Sequence, residues 1–171
     1  VMGLLHALVF WGFLVILIGS IEMIIDGLFA TERALVFLGG LYSFIMASGD
    51  IFALIIAVAI LVFLFRRVFL HVKRFSGIEM KHISHLDANV ALTMILLLML
   101  SLLGMNTFYI QSATQAGHEV VGLFPISNLL ASWIDAGEHN EFWHQFNWWA
   151  HIGLIFVFAN YLPYSKHFHV F

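Results

Sequence analysis

Long apolar runs, separated by short polar stretches, set the rhythm of the chain. They occupy about residues 3–28, 41–65, 88–109 and 148–162. A helix needs roughly 20 apolar residues to cross a bilayer. Glu22 and Asp26 interrupt the first run late, and Asp50 lies inside the second. The runs are continuous and do not alternate with period two, so they predict helices rather than barrel strands. A shorter stretch, GLFPISNLLASWID, sets Leu123, Ile126, Leu130 and Trp133 on one helical face, with Ser127, Asn128, Ser132 and Asp135 elsewhere. That pattern predicts a helix lying in the membrane interface. The expected fold is all-α, a polytopic membrane bundle of four transmembrane helices plus one interfacial amphipathic helix. It forms a single domain over residues 1–171.

Composition agrees with lipid as the solvent and the first partner. The chain is 62% hydrophobic and 10% charged, with a mean hydropathy of +0.98, whereas soluble domains carry about 25% charged residues. There are no cysteines, which excludes a disulfide framework and thiolate-held iron–sulfur clusters within the chain. The first apolar run is too long for a signal peptide and lacks a cleavage signature. Nothing in the charge pattern points to nucleic acid.

Charge sets the orientation. Arg66, Arg67, Lys73, Arg74 and Lys81 lie between the second and third runs, Lys166 follows the fourth, and only Arg33 lies on the other side. Basic residues accumulate on the cytoplasmic face, so both termini are expected inside. The loop over residues 110–147 is expected outside; it carries Glu119, Asp135, Glu138 and Glu141 and no Lys or Arg. Trp133, Trp143, Trp148 and Trp149 gather there, as an interfacial aromatic belt does.

Histidines supply the candidate chemistry. His151 and His169 are 18 residues apart, five whole helical turns and about 27 Å along an axis. One ring therefore falls near each membrane surface, although Pro163 between them removes a ladder donor and favours a kink. His6 lies near the cytoplasmic start of the first run, at the depth of His169. Two histidines on different helices at one depth can hold a heme iron between them; they can equally be polar residues reaching for headgroups. Asp50, buried in hydrocarbon, suits either a proton relay or a structural bond to Ser43, Ser48 or a neighbouring helix. Glu22 and Asp26, four apart on one face, suit proton passage or simple solvation at the interface. Arg66, Arg67, Lys166 and His167 suit contacts to propionate carboxylates on the cytoplasmic side. Glu79, His82 and His85 have metal-site spacing on paper but read better as a loop touching a soluble partner.

The closing residues His151, Ile152 and Gly153, followed by Pro163, Tyr164, Ser165, Lys166, His167, Phe168 and His169, resemble the last helix of the gamma subunit of respiratory nitrate reductase, a membrane diheme cytochrome b. The stretch LLHALVFWGFLVILIG resembles that family's ligand-bearing second helix, with His6 at its cytoplasmic-side ligand. The starting MGLLHALVFWGF and the ending YLPYSKHFHVF resemble more closely the amino-terminal membrane domain of heterodisulfide-reductase-like iron–sulfur oxidoreductases. The resemblance implies heme b, one or two per chain, ligated by His6, His151 and His169. It implies electron transfer with a quinone, menaquinone above all, and a cytoplasmic cysteine-rich iron–sulfur protein, with electron transfer flavoprotein beyond it. It implies the cytoplasmic membrane of a prokaryote, and either a chain that is the membrane part of a longer protein or a soluble partner on a separate chain.

Two departures matter. The family's first helix has no counterpart here. Its second histidine on the ligand helix, ten residues after the first, is Ile16 in this chain, which cannot bind iron. The heme between His6 and His169 is supported from both sides and the one at His151 from one side only; His144, His118, His139 and Met23 are the candidates opposite. Two other readings stand beside the cytochrome: a heme-free membrane anchor or transporter subunit, and a gamma-type subunit of a molybdenum reductase.

Overall fold

The computed structural model describes residues 2–31, 33–69, 82–134, 136–161 and 163, without the side chains of residues 2, 4–6, 68–69 and 82–87. The described residues are all-α. Helix α1 spans Met2–Phe29, α2 Gly40–Phe69, α3 His82–Ala116, α4 Pro125–Ala131 and α5 Asn140–Tyr161, with single 3-10 turns at Val36–Leu38 and Gly137–His139. Three helices hold stretches long and apolar enough to cross a membrane: Ala7–Phe29, Gly40–Arg67 and Ala88–Ala116.

The fourth expected span takes a different form. Helix α5 starts at Asn140, eight residues before the apolar run at 148, because Glu141 and His144 bond to Ser112 and Met105 of α3, Asn147 packs on Gly104, and Gln145 bonds back to Glu141 beside the cavity. Helix α3 likewise runs on to Ala116, seven residues past the expected end, since Gln111 donates to the Ala131 carbonyl at the end of α4 and to the Ile134 carbonyl beyond it, and Ser112 bonds to α5. The loop expected over 110–147 therefore shrinks to the residues between Ala116 and Asn140, with α4 inside it. Helix α4 is a single seven-residue segment. Its face differs from the expected one: Ile126 and Leu130 pack on the core, while Leu123 and Trp133 are exposed.

Helices α1, α2, α3 and α5 pack in that order, each against the next, and α1 and α5 are not packed along their lengths. Ile16, Ala53, Ile56, Ala57, Ile60, Leu98, Met99 and Leu103 form the core, with Leu154, Ile155 and Phe158 of α5 against it. In lipid there is no hydrophobic drive between helices, and small residues set the approach. Ala53, Ala57 and Ala59 line the buried face of α2. Opposite them, a Cβ on Gly12 would fall 2.8 Å from Ile56 Cδ1 and from Phe52 Cδ1. The outward faces are apolar, with Trp11, Phe44, Leu61 and Phe65 more than half exposed, as lipid contact requires.

Candidate functional site: a histidine-lined cavity

One end of the bundle carries the α1–α2 loop and the α3–α5 connection, and there the membrane acids bind backbone. Asp50 is 1% exposed. Its carboxylate accepts the N–H groups of Ile126 (2.7 Å) and Ser127 (2.9 Å) and the Ser127 hydroxyl. These are second- and third-position donors of α4, whose own N-cap residue, Phe124, has no capping side chain. Helix starts leave such donors unpaired unless a side chain accepts them, so Asp50 caps α4 from another helix. Its partner is Ser127, not Ser43 or Ser48.

Asp26 accepts the Thr31 hydroxyl (2.7 Å) and the N–H groups of Arg33 (3.0 Å) and Ala34 (2.9 Å). Glu22, buried, accepts the Leu35 N–H at 3.0 Å. Both acids thus fold the loop that leaves α1. That loop needs holding, because Ala30 (φ 51°) and Arg33 (φ 55°) sit in the left-handed region, a conformation that costs a residue with a Cβ about 1–2 kcal/mol.

Arg33 then closes the loop onto the rest of the bundle. Its Nη1 donates to the Tyr42 hydroxyl at 2.7 Å. Its guanidinium carbon lies 4.1 Å from the ring centre of Tyr109 and 5.3 Å from that of Phe124. The Tyr109 hydroxyl accepts the Val121 N–H at 3.1 Å. The lone basic residue on this side of the membrane pattern is therefore a clamp joining α1–α2 to α3 and the segment before α4. Its charge and its flat face are both used.

Beneath the clamp is a cavity of about 750 Å³ lined by all four long helices. His151 stands in its wall, 1% exposed. The ring Nδ1 is 3.0 Å from the Leu98 carbonyl and 2.9 Å from Ser101 Oγ, and the Ser101 hydroxyl donates to the same carbonyl at 2.9 Å. A carbonyl only accepts, so Nδ1 carries the proton and Nε2 has the lone pair. That Nε2 is buried with no hydrogen-bond partner. Two turns along α5, His144 repeats the contact: its Nδ1 is 3.0 Å from the Met105 carbonyl, and it lines the same cavity. Tyr109 rests 5.9 Å from the His144 ring. At the mouth, Glu141 accepts Gln145 Nε2 (3.1 Å) and Ser112 Oγ (2.8 Å). Those two bonds, Gln145 first, hold its carboxyl below the ordinary value of 4.5.

The structure brings His151, Glu22, Asp26 and Asp50 to the edge of one cavity, together with Ile16 and Met23. Arg66 and Arg67 sit in the last turn of α2, half-buried, at the far end of the bundle. His6 belongs to α1, but its side chain, like those of His82 and His85, lies outside the described residues, as do Glu79, Lys166, His167 and His169. Among the described residues no three His, Cys, Asp or Glu side chains converge as a metal site. Sequence reasoning missed the Arg33 clamp, Ser101 and the pairing of His144 with α3. The equal seven-residue intervals, Leu98 to Met105 and His144 to His151, were the signal available for the last. No family model, curated protein or solved structure matches the chain. The cytochrome resemblance therefore stands on the quoted residues alone.

Proposed function

We propose that the chain is the membrane module of a quinone-linked electron-transfer protein. It passes electrons between menaquinone in the outer half of the membrane and a cytoplasmic iron–sulfur partner, with electron transfer flavoprotein beyond that. Helix α5 is then the fourth crossing: its 22 residues give about 33 Å at 1.5 Å each. Its polar first half is turned to α3 and the cavity rather than to lipid, and α4 lies at the outer interface. The observation that carries the proposal is the His151 Nε2. A buried acceptor without a partner is costly, and His151 lines a cavity with room for a ring compound.

Heme b would be held by His6 and His169, with Arg66, Arg67, Lys166 and His167 as the candidates for its propionates; of these, only Arg66 and Arg67 have described side chains. When bound, the heme supplies one-electron exchange at a potential tuned by its ligands and its burial. A second heme at His151 fits on one side only. Its Nδ1–H donation to Leu98 is the orientation of a metal-binding histidine, but Ile16, buried in the cavity wall, stands where the family has the opposing ligand. Met23, also buried, and His118 and His144 line the same cavity and favour this second reading. A quinone needs only a hydrogen-bond partner and no ligand opposite.

Heme per chain, measured as the pyridine hemochrome of purified wild type and of His6→Ala, His151→Ala and His169→Ala, decides between the two. The quinone assignment expects one heme, lost with His6 or His169 and kept without His151. Two hemes, one of them lost with His151, would give the cavity to a second heme. No heme in protein made with ample heme supply would leave the anchor or transporter.

A further inference from the structure

Helix α3 turns one continuous face to the cavity. Leu102, Asn106, Tyr109 and Ala113 line it, at intervals of four, three and four residues, which keep to one side of a helix. Asn106 stands in the middle of that face and is 7% exposed. Buried polar side chains almost always have a partner. The others among the described residues do: Glu22, Asp50, Ser101, Thr107, Ser127, Asn140 and His151 each make at least one hydrogen bond. The Asn106 amide makes none among the described residues. Unlike His151 Nε2, its Oδ1 and Nδ2 both keep accessible surface, and the residue lines the cavity. It is a free donor and a free acceptor, held inside a bundle and open to that space.

The walls suit a flat, neutral ring. Met23 of α1, Met46 of α2 and Met105 of α3 line the cavity with Trp148 of α5, and thioethers pack adaptably and favourably against aromatic rings. Gly19 and Gly49 line it too: a Cβ on Gly49 would meet nothing within 4 Å, and one on Gly19 only Met46 Cε at 4.0 Å. The carboxylates of Glu22, Asp26 and Asp50 at the cavity edge are already engaged with backbone. We infer that Asn106 is the hydrogen-bonding anchor for the quinone ring in both of its redox forms. This rests on the quinone assignment above and names the residue that holds the headgroup. An amide both donates and accepts. Its Nδ2–H donates to a carbonyl of the quinone, and its Oδ1 accepts from a hydroxyl of the hydroquinone. A carboxylate, which only accepts, or an ammonium, which only donates, would favour one form over the other.

The test is anaerobic titration calorimetry on the purified full chain in detergent, each probe referenced to the same detergent without protein. The probes are 1,4-naphthoquinone with oxidised protein, 1,4-dihydroxynaphthalene with dithionite-reduced protein, and 1,4-dimethylnaphthalene with both. The last has the shape and no hydrogen-bonding group. Wild type should bind each oxygenated probe at least about tenfold tighter than the hydrocarbon, the worth of one buried hydrogen bond. Asn106→Leu should abolish that preference for both oxygenated probes and leave the affinity for the hydrocarbon unchanged. The variant should fold, because it breaks no bond and Leu is the better helix former; thermal melts check this, and Asn106→Ala repeats the test with no added bulk. A folded variant that keeps the preference for either oxygenated probe, or that weakens all three probes alike, overturns the anchor while leaving a quinone site. Failure of both variants to fold makes the amide structural and overturns it equally. Wild type that binds the oxygenated probes no tighter than the hydrocarbon, or not at all, overturns the quinone assignment itself, and the anchor with it.

Discussion

At the scale of single residues, charged groups inside the bundle are spent on backbone. Asp50 was legible in the sequence as a residue that must have partners, because a carboxylate in hydrocarbon is costly. Those partners, Ile126 and Ser127, are more than seventy positions away, and no local pattern reaches that far. Replacing Asp50 with Leu uncaps α4 and leaves buried N–H groups unpaired, at a cost of about 1–2 kcal/mol or more. A detergent thermal melt should fall by several degrees, and by less for Asp50→Asn, which keeps one acceptor oxygen. An unchanged melting temperature in Asp50→Leu would deny the cap. Glu141 makes a pH prediction. Its folded carboxyl lies below 4.5 because of Gln145 and Ser112, so its contribution is complete above pH 4.5 and is lost as the pH falls through the lower, folded value. Melts of wild type and Glu141→Gln should converge as acid is added and separate above that range, with wild type the higher. Parallel curves throughout would contradict the assignment.

At the scale of elements, hydropathy located α1, α2 and α3 because each presents a long apolar face to lipid. It misjudged the start of α5 because Glu141 and His144 bond across to α3, and a polar run between apolar ones reads as a loop. It found α4 but not which polar residue is buried, because the burial of Ser127 by the Asp50 cap is a tertiary effect. Contact between α1 and α2 depends on Gly12 lying against Ile56 and Phe52. Gly12→Val should loosen α1 and lower the melting temperature, whereas the same change at Gly3, which has nothing within 4 Å, should be silent. Equal melts for the two variants would contradict the packing. The Arg33 clamp belongs to this scale too. Arg33→Lys keeps the charge but not the planar stacking on Tyr109 and Phe124, worth about 0.5–2 kcal/mol. Limited proteolysis should cut the α1–α2 loop faster in that variant, and an unchanged rate would show that the stacking does not hold the loop.

At the scale of the whole molecule, charge and shape agree on direction. The cavity, the clamp and the acid-rich loops share one end; at the other, Arg66 and Arg67 close α2, and Lys73, Arg74 and Lys81 follow them in sequence before α3. Because the chain has no cysteine, sidedness is easily read: Glu119→Cys should react with a membrane-impermeant maleimide from outside intact cells, and Lys73→Cys only after lysis. The reverse pattern would invert the orientation. The central claim joins both ends, with quinol at His151 feeding a heme toward the cytoplasm. The most direct measurement is the heme absorption of the purified, anaerobic protein on addition of menadiol, in wild type and in His151→Leu. The account predicts that alpha and Soret bands of reduced heme b appear in wild type, and that their appearance slows at least about tenfold when the His151 hydrogen bond is removed. Absence of heme bands, or bands that dithionite reduces and menadiol does not, would contradict it.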